Sequence, residues 1–294
     1  MLPIAPTIRT VTLNPAVDEA IVVERLALGS INRRKLDAVD PGGKGINAGR
    51  VIHRLGRSTL VLGFVAGVTG AYVRAALDRE GVPHALESIA GLTRINVMLL
   101  ERASGRRTRM YLPGATVTAI ELQRLRASLD DASAGSLDDA PAGSLVVLGG
   151  SLPPGVPATF YAETIRRLNG RGVRCILDTS GAALEQALAA RPLLIKPSLD
   201  EAEQVLGRSL LERGAVIEAA RELQRRGAEY VVISRGEEST IAFVGESIWE
   251  AQPPKIAANT TVGSGDSMVA GLAIAISRSP RHYDSAARPE PQPR

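Results

Sequence analysis

Short apolar runs alternate with longer helix-like segments through the second half of the chain. The runs "LVVLGG", "VRCILD", "LLIKPS" and "YVVIS" are rich in β-branched residues, and segments such as "ATFYAETIRRLNG" and "ALEQALA" lie between them. Continuous apolar runs predict strands that are buried on both faces, and the intervening segments are long enough for crossover helices. Right-handed βαβ units joined in this way build a mostly parallel sheet with helices on both faces. The sequence therefore predicts an α/β fold.

Two parts of the first half depart from this alternation. The runs near residues 20–40 and 94–112 are not separated by helices, and "RINVMLLE" and "RTRMYL" read as a strand pair across the turn "RASGRR". They predict a small excursion from the main sheet. In open α/β sheets ligands bind outside the carboxyl ends of the strands, so polar residues that follow strands are the first candidates for a site.

Composition excludes several classes of protein. The 294 residues are enough for one large domain or two small ones, and a composition that is 45% hydrophobic but only 3% aromatic predicts an aliphatic core. Cys175 is the single cysteine, and the three histidines lack metal-ligand spacing, so neither a disulfide framework nor a zinc site is expected. A net charge of +4 without a basic block interleaved with aromatics argues against nucleic-acid binding. No apolar run is long enough to span a membrane, and we expect a cytoplasmic protein.

The stretch "TVGSGDSMVAG" predicts an anion site at the start of a helix. Apolar side chains recur with helical spacing at Val269, Leu272, Ala273 and Ile276, so a buried helix begins near Gly263–Asp266. Backbone N–H groups at a helix start lack intrahelical acceptors and carry the positive end of the dipole. The two glycines, Gly263 and Gly265, leave these donors accessible to a phosphate.

Asp266 would repel an anion bound at this turn, which requires an explanation. The carboxylate fits if a neutral hydroxyl lies between it and the phosphate, because it can then accept the hydroxyl proton during attack on phosphorus. The N–H groups would stabilise the developing negative charge. The alternative is that Asp266 only caps the helix.

A second glycine-rich stretch, "PGGKGINAG", fits neither common phosphate-binding motif. Lys44 is followed by Gly45, so a Walker loop is excluded, and the next acidic residue, Asp78, is too distant for a dinucleotide fingerprint. A glycine pair that lets the backbone approach a ligand remains, followed by Lys44 and Asn47 on the first turn of a helix. The alternative is a plain glycine-rich turn.

Taken together, these motifs resemble the PfkB/ribokinase-like carbohydrate kinase family, and specifically its sugar-phosphate kinase branch. The resemblance runs in order from residue 7 to about 276 through "TVTLNPAVD", "PGGKGINAGRVIHRLG", "TRINV", "YLPGA", "GGSLPPG", "ILDTSGAAL", "IKPSLDE" and "TVGSGDSMVAGL". It implies a ribokinase-like central sheet with helices on both faces and a small β lid, which excludes water and often forms a dimer contact.

The resemblance also assigns roles to particular residues. Asp266 takes the position of the catalytic base, and Arg94 and Lys44 would hold the phosphate that the sugar already carries. Ser151 follows a strand in the substrate region. The implied anion hole is Gly263, Ser264 and Gly265; the implied sugar site is Asp18, Gly42, Gly43, Lys44, Asn47, Arg94 and Ser151; the implied nucleotide site is Lys196, Ser234 and Gly236, with Glu201 near Mg²⁺, directly or through water.

Departures from the family pattern lie on the nucleotide side. The Asn-x-x-Glu element appears as Ser198-Leu-Asp-Glu201, and Ser239 stands where a second glycine is usual. The segment after Ile276 is rich in proline and charge without apolar periodicity. We therefore expect a kinase domain at 1–276, with a lid at about 15–42 and 91–112, and a disordered, apparently truncated or divergent tail at 277–294.

The implied activity is ATP- and Mg²⁺-dependent phosphorylation of a ketohexose phosphate. Fructose 6-phosphate is the first candidate, and fructose 1-phosphate and tagatose 6-phosphate are alternatives, because the hydroxyl that meets Asp266 decides the reaction. A homodimer through the lid is expected. The alternative from another class is a catalytically impaired sugar-phosphate-binding protein that lacks a complete adenine pocket.

Overall fold

The structure is a computed structural model that describes residues 8–33, 38–130, 144–255 and 263–278. The strands are β1 Ile8–Thr12, β2 Ala16–Val23, β3 Ala38–Gly42, β4 Thr59–Ala66, β5 His84–Ile89, β6 Arg94–Glu101, β7 Arg106–Met110, β8 Leu145–Gly149, β9 Arg174–Asp178, β10 Leu194–Ile195, β11 Tyr230–Ile233, β12 Thr240–Val244 and β13 Ser247–Ala251. The helices are α1 Lys44–Arg54, α2 Gly67–Glu80, α3 Ala119–Asp130, α4 Phe160–Asn169, α5 Gly181–Leu188, α6 Leu199–Leu206, α7 Arg213–Arg225 and α8 Ser264–Arg278.

The main sheet confirms the predicted α/β architecture. Its nine strands follow the order β13-β12-β11-β10-β9-β8-β1-β4-β5, and the pairs from β5 to β11 are parallel. Only β12 and β13 run antiparallel, as a hairpin at one edge. Because the parallel strands end at the same edge of the sheet, the residues that follow β1, β8, β9 and β10 face a common region.

A second sheet contains the strands that break the alternation. Its order is β3-β2-β6-β7, and β2 lies parallel to β6 with Asp18 opposite Asn96. On its other side β2 runs antiparallel to β3, which sets Asp18 opposite Asp40. The chain thus leaves the main sheet after β1, to form β2 and β3, and again after β5, to form β6 and β7. The two segments join through the pairing of β2 with β6.

Aliphatic side chains fill both faces of the main sheet, as the composition predicts. One cluster centres on Val146, Leu148 and Leu177 and includes the buried rings of Phe160 and Tyr161. The other packs α1 and α8 against the opposite face, with Ile52 and Val269 fully buried. Burial on both faces is what fixes the apolar runs as strands.

The buried face of α1 is formed mainly by small residues. Among the large apolar side chains of "GINAGRVIHRLG", Ile46 is fully buried, but Leu55 is 60% exposed and Val51 is only partly buried. The core face contains Gly45, Ile46, Ala48, Gly49 and Ile52. Small residues on this face bring the helix close to the sheet, which a search for large apolar side chains does not detect.

The last described helix extends slightly past its predicted end. Ser277 and Arg278 belong to α8, although the sequence assigns them to a disordered tail. The rest of that prediction concerns residues 279–294, which lie outside the described residues. Across the described ranges, no helix has the length and apolarity needed to cross a bilayer.

Gly45→Ala should destabilise the protein. A Cβ there would lie 2.4 Å from Thr12 Oγ1 and 2.5 Å from the Val11 carbonyl oxygen, which belongs to a central strand and cannot retreat. We expect a loss of about 1–3 kcal/mol from overpacking, which exceeds the gain in helix propensity of up to about 1 kcal/mol. The free energy of unfolding in urea measures the balance.

Gly214→Ala in α7 is the matched control. Nothing lies within 4 Å of a Cβ at that position, so the protein should be unchanged or up to about 1 kcal/mol more stable. Equal effects of the two substitutions would contradict the close approach of α1 to β1.

Candidate active site

The first turn of α1 is held against the end of β1. Thr12 Oγ1 accepts a hydrogen bond from the Ile46 amide at 2.8 Å. Gly43, just before the helix, has a φ of 116° and would place a Cβ 2.7 Å from Thr12 Cγ2. Gly42 would place a Cβ against the Asp18 carboxylate. The glycines therefore accommodate Thr12 and Asp18, which is a packing reason for this stretch beside the predicted ligand contact.

Asp266 is the third residue of α8 and not its capping residue. The helix begins at Ser264, and Asp266 Oδ2 accepts a 2.7 Å hydrogen bond from Asn47 Nδ2 on α1. This bond fixes the carboxylate between the first turns of the two helices. The geometry therefore disfavours the alternative in which Asp266 only caps the helix.

The environment of Asp266 makes it a weak acid. Burial, assisted by the charge of Asp178, raises the pKa of Asp266 from 3.8 to about 6. The hydrogen bond from Asn47 and the charges of Lys44 and Lys196 act in the opposite direction. A carboxylate with a pKa in this range is ionised at neutral pH but is a better proton acceptor than an ordinary aspartate.

The glycines at the start of α8 leave room on two sides. Gly263 has a φ of 81°, a conformation that favours glycine, and no atom of the described residues lies within 4 Å of a Cβ built on it. A Cβ on Gly265 would lie 3.3 Å from Lys196 Nζ. Lys196, predicted to contact the nucleotide, thus lies against the first turn of α8. The predicted anion hole, Gly263, Ser264 and Gly265, is at the same turn.

The side chain of Lys44 contacts two carboxylates. The sequence pairs it with Arg94 around the sugar's phosphate, but Lys44 Nζ lies 2.7 Å from Asp178 Oδ1 and 3.2 Å from Glu201 Oε1. Burial opposes the charge of Lys44, yet the two carboxylates outweigh it and raise the pKa of the amine. The structure thus places Lys44 with the charges around Asp266, because its position at the start of α1 directs it toward the end of β9.

Glu201 has a second partner in its own helix. Its Oε2 accepts a hydrogen bond from the Ser198 amide at 2.8 Å, and Ser198 Oγ accepts one from the Glu201 amide at 3.3 Å. This capping box explains how serine serves in place of the usual asparagine: it starts α6 and orients the glutamate. Burial acts against ionisation of Glu201, but Lys44 and the Ser198 amide hold its pKa below the usual value.

The donor set fits a magnesium ion that arrives with a nucleotide. Among the described residues, no three acidic, histidine or cysteine side chains are grouped as a metal cage. Mg²⁺ keeps several waters and binds proteins through one or two carboxylates together with substrate phosphates. Glu201, partly exposed at the end of the sheet, suits that mode of binding.

The second sheet contributes a separate polar group. Asp18 Oδ1 accepts a hydrogen bond from Asn96 Nδ2 at 2.8 Å. Burial raises the pKa of Asp18, and the Asn96 bond and the charge of Arg94 oppose the rise. Arg94 donates to the carbonyl oxygens of Leu112 and Asn14 at 3.0 and 3.1 Å, and burial lowers its pKa. Asp18 and Arg94, both predicted for the sugar site, thus lie close enough for their charges to interact.

Ser151 connects this group to the main sheet. It is exposed just past β8, and its Oγ accepts a hydrogen bond from Asn14 Nδ2 at 3.1 Å. Asn14 Nδ2 also donates to the Pro113 carbonyl oxygen at 2.9 Å. Asn14 therefore ties the loops after β1, β7 and β8 together.

Ser234 and Gly236 follow β11 next to α6. Ser234 forms a parallel bridge with Ser198, and its carbonyl oxygen accepts the Leu199 amide at 2.9 Å. Gly236 has a φ of 63° in the turn that follows. Ser239, the departure from the family pattern, is buried and donates its hydroxyl to Glu250, so it serves the hairpin rather than an open loop.

Three polar residues in this region, Asp178, Asn14 and Asn96, are not among those predicted from the sequence. Asp178 and Asn14 follow the strands β9 and β1, a position that marks candidates in this fold. Each stands inside a quoted motif, so the signal was present. Asn96 could be found only from the strand register that sets it opposite Asp18.

Comparison with known proteins agrees with this geometry. The family model described as pfkB family carbohydrate kinase matches residues 11–288. The 1-phosphofructokinase of Bacillus subtilis is 35% identical over 271 residues, 92% of this chain and 86% of the relative. That of Xanthomonas campestris is 38% identical over 284 residues, covering 95% and 87%. The ATP-dependent 6-phosphofructokinase isozyme 2 of Escherichia coli is 33% identical over 269 residues, covering 91% and 84%.

Solved structures give the same result. Phosphofructokinase-2 from Escherichia coli in complex with fructose-6-phosphate superposes with a TM-score of 0.80 at 31% identity, covering 93% of this chain and 88% of that one. Its tetrameric inhibited form gives a TM-score of 0.83 at 32% identity with the same coverage. The fold is therefore ribokinase-like, and the site belongs to a sugar-phosphate kinase. The chain is a member of the pfkB family of carbohydrate kinases, which are ATP-dependent enzymes.

The raised pKa of Asp266 predicts a pH dependence of stability. A carboxyl group with a higher pKa in the folded than in the unfolded state stabilises the fold below the unfolded pKa. That contribution is lost as the pH rises from about 4 through about 6. Asp266→Asn removes the titration, so the variant should gain up to about 3 kcal/mol relative to wild type between pH 4 and pH 7. Urea unfolding at several pH values measures the difference, and a constant difference over this range would contradict it.

Proposed function

We propose that the chain transfers the γ-phosphoryl group of ATP to a hydroxyl of a fructose monophosphate, with Asp266 as the general base. The observation that carries the proposal is the position of Asp266. It is oriented by Asn47 at the first turn of α8 and has a pKa raised to about 6. A general base needs both hydrogen-bond reach and a pKa near the working pH.

Asp266 can use one oxygen for orientation and the other for chemistry. Asn47 donates to Oδ2, which directs Oδ1 to the proton of a bound hydroxyl. The N–H groups of the turn Gly263–Ser264–Gly265 and the ammonium of Lys196 then face the phosphoryl group under attack. This arrangement supports transfer, because charge that develops on phosphorus meets fixed donors.

ATP and Mg²⁺ are assigned to the side of α6 and β11. Lys196, Ser234 and Gly236 would contact the nucleotide, and Glu201 would hold Mg²⁺ directly or through water. When bound, Mg²⁺ neutralises charge on the phosphates. The capping box supports this role for Glu201, since it fixes the side chain without using both carboxylate oxygens on one partner.

The fructose phosphate is assigned to the edge shared by the two sheets. Asp18 would accept hydrogen bonds from sugar hydroxyls, and Arg94 would bind the existing phosphate with its planar fork. Gly42, Gly43, Asn47 and Ser151 would line the same space. Support comes from the contact between Arg94 and Asn14, which places the guanidinium where the second sheet meets the main one.

Two monophosphates fit this description, and they yield the same product, fructose 1,6-bisphosphate. Similarity to an Escherichia coli structure containing fructose-6-phosphate supports fructose 6-phosphate. Relatives named 1-phosphofructokinase, at 35% and 38% identity, support fructose 1-phosphate. The ratio of kcat/KM for the two sugars, with tagatose 6-phosphate as a third substrate, decides between them.

We further propose that two copies of the chain meet through the second sheet, which would act as a lid over the sugar site. Met98, Leu99 and Leu100 of β6 are apolar but only partly buried within one chain. A similar structure is described as tetrameric, which supports assembly of some kind. Light scattering of the purified protein measures the molar mass and tests this proposal.

Asp266→Asn should lower kcat by roughly 10²–10⁴-fold, the usual scale for loss of a general base. Binding of the fructose phosphate should persist, because Asn keeps the volume and can still accept from Asn47. Steady-state kinetics and calorimetric titration of the sugar phosphate measure the two effects. Turnover near wild type would remove Asp266 from the chemistry.

Arg94→Ala should weaken binding of the fructose phosphate by about 1.5–3 kcal/mol, the scale of a charge-assisted contact. Affinity for ATP should change little. Arg107→Ala is a matched control, since Arg107 is an exposed cation on β7 of the same sheet. If both variants lost sugar affinity equally, or if Arg94→Ala weakened ATP as much as sugar, the assignment of Arg94 would be wrong.

A further inference from the structure

Asp178 is a buried carboxylate for which the proposed reaction has so far assigned no role. It ends β9, its side chain is 1% exposed, and its carbonyl oxygen accepts the Gly150 amide at 2.9 Å. A buried charge is costly unless it is paired. Asp178 therefore depends on its neighbours, and they depend on it.

Each carboxylate oxygen of Asp178 faces a different lysine. Oδ1 lies 2.7 Å from Lys44 Nζ, and Oδ2 lies 3.7 Å from Lys196 Nζ. Lys44 is the first residue of α1, and Lys196 directly follows β10. The Asp178 carboxylate thus lies between two ammonium groups, one from the first half of the chain and one from the second half.

Both lysines are close to the reaction centre. Lys196 lies at the first turn of α8, since a Cβ on Gly265 would be 3.3 Å from its Nζ. The charges of Lys44 and Lys196 both act on Asp266. Glu201 and Asp266 also lie around these lysines, so the group holds three carboxylates against two ammonium groups, and Asp178 keeps both lysines at the helix turn where the proposed function puts the phosphoryl group.

The second partner of Lys44 is easier to displace than the first. Glu201 is 22% exposed and lies 3.2 Å from Lys44 Nζ, whereas Asp178 is buried at 2.7 Å. A phosphate oxygen that enters the site can therefore replace Glu201 on Lys44 while Asp178 stays in place. Asp178 fixes the position of Lys44, whereas the contact of Lys44 with Glu201 can be exchanged for a contact with phosphate.

We propose that Asp178 is a positioning residue that holds Lys44 and Lys196 as a clamp of two ammonium groups around the transferred phosphoryl group. The inference rests on the proposed function. In the transfer, the bond from the γ-phosphorus to its bridging oxygen breaks, a bond from phosphorus to the sugar oxygen forms, and the hydroxyl proton passes to Asp266. Asp178 touches none of these atoms and acts through the two lysines.

The test is Asp178→Asn in the full chain, with kcat and anion affinity measured separately. Misplaced lysines should lower kcat by about 10²-fold, the scale for small displacements of catalytic groups. Affinity for inorganic tripolyphosphate without metal should stay the same or rise, because the substitution removes a negative charge beside the lysines. A merely structural role would instead lower both quantities together.

A double-mutant cycle provides a second test of the proposed clamp. On a Lys44→Met background, Asp178→Asn should lower kcat by less than on the wild-type background, because one of the groups it positions is already gone. Asp130→Asn is the matched control: Asp130 also holds two cations, Arg167 and Arg171, but on the α3–α4 surface. It should leave kcat unchanged.

Failure of this inference is distinguishable from failure of the proposed function. If Asp266→Asn abolishes transfer but Asp178→Asn keeps kcat within about threefold of wild type, the clamp is refuted and the general base stands. Additive effects in the cycle, or parallel loss of kcat and anion affinity, also refute it. If Asp178→Asn does not fold, Lys44→Met and Lys196→Met decide: each must lower kcat, and retention of kcat by either one overturns the clamp.

Discussion

The hydrogen bond from Asn47 to Asp266 joins the first turns of α1 and α8, which lie 219 residues apart in the chain. Both helices pack on the same face of the sheet and begin at the edge where the parallel strands end. Their positive dipole ends therefore converge, and the carboxylate stands where backbone donors and two lysines can share one anion. The pKa of Asp266 follows from this position, because a carboxylate at a packed helix start is desolvated whatever its neighbours contribute.

This convergence depends on how closely α1 approaches β1. Gly43 and Gly45 leave space that Thr12 and the Val11 carbonyl oxygen occupy, and Thr12 in return accepts the Ile46 amide. A larger residue at Gly43 or Gly45 would push the first turn of α1 away from β1. It would therefore move Lys44 and Asn47, which lie on that turn. The glycine-rich stretch thus has a structural role besides any contact with a ligand, because it sets the positions of the Lys44 and Asn47 side chains.

The fold and half of the site could be predicted from the chain itself. Strand runs, helix lengths and the turn before α8 carry their own signals, since period and composition are local properties. The partners of Lys44 carry no such signal. A lysine after two glycines is compatible with a sugar phosphate or with a carboxylate, and only the strand order, which sets β9 two positions from β1 with β8 between them, brings Asp178 within reach. Asp178 itself stood in a quoted motif but looked like one more polar residue after a strand. The capping role of Ser198 is also not among the predictions from sequence, although its spacing to Glu201 is that of a capping box.

The separation of charges suggests how the site distinguishes the two ends of its substrate. Arg94 belongs to the second sheet and is tied to the loops around Asn14, while Lys44 on α1 and Lys196 after β10 lie at the carboxyl edge of the main sheet and contact Asp178. Had Lys44 joined Arg94, one end would hold two cations and the transfer end only one. Under the proposed function, a single arginine would instead face a dianionic phosphate that is bound but not changed, and two lysines would face the group whose charge is redistributed in transfer. Binding energy at Arg94 would then be equal in the ground and transition states and would serve affinity. Donors at the α8 turn would gain strength as charge develops and would serve rate. The proposed function thus gives the two tasks to different parts of the fold: Arg94 on the second sheet binds the existing phosphate, and the lysines at the carboxyl edge of the main sheet face the transferred group.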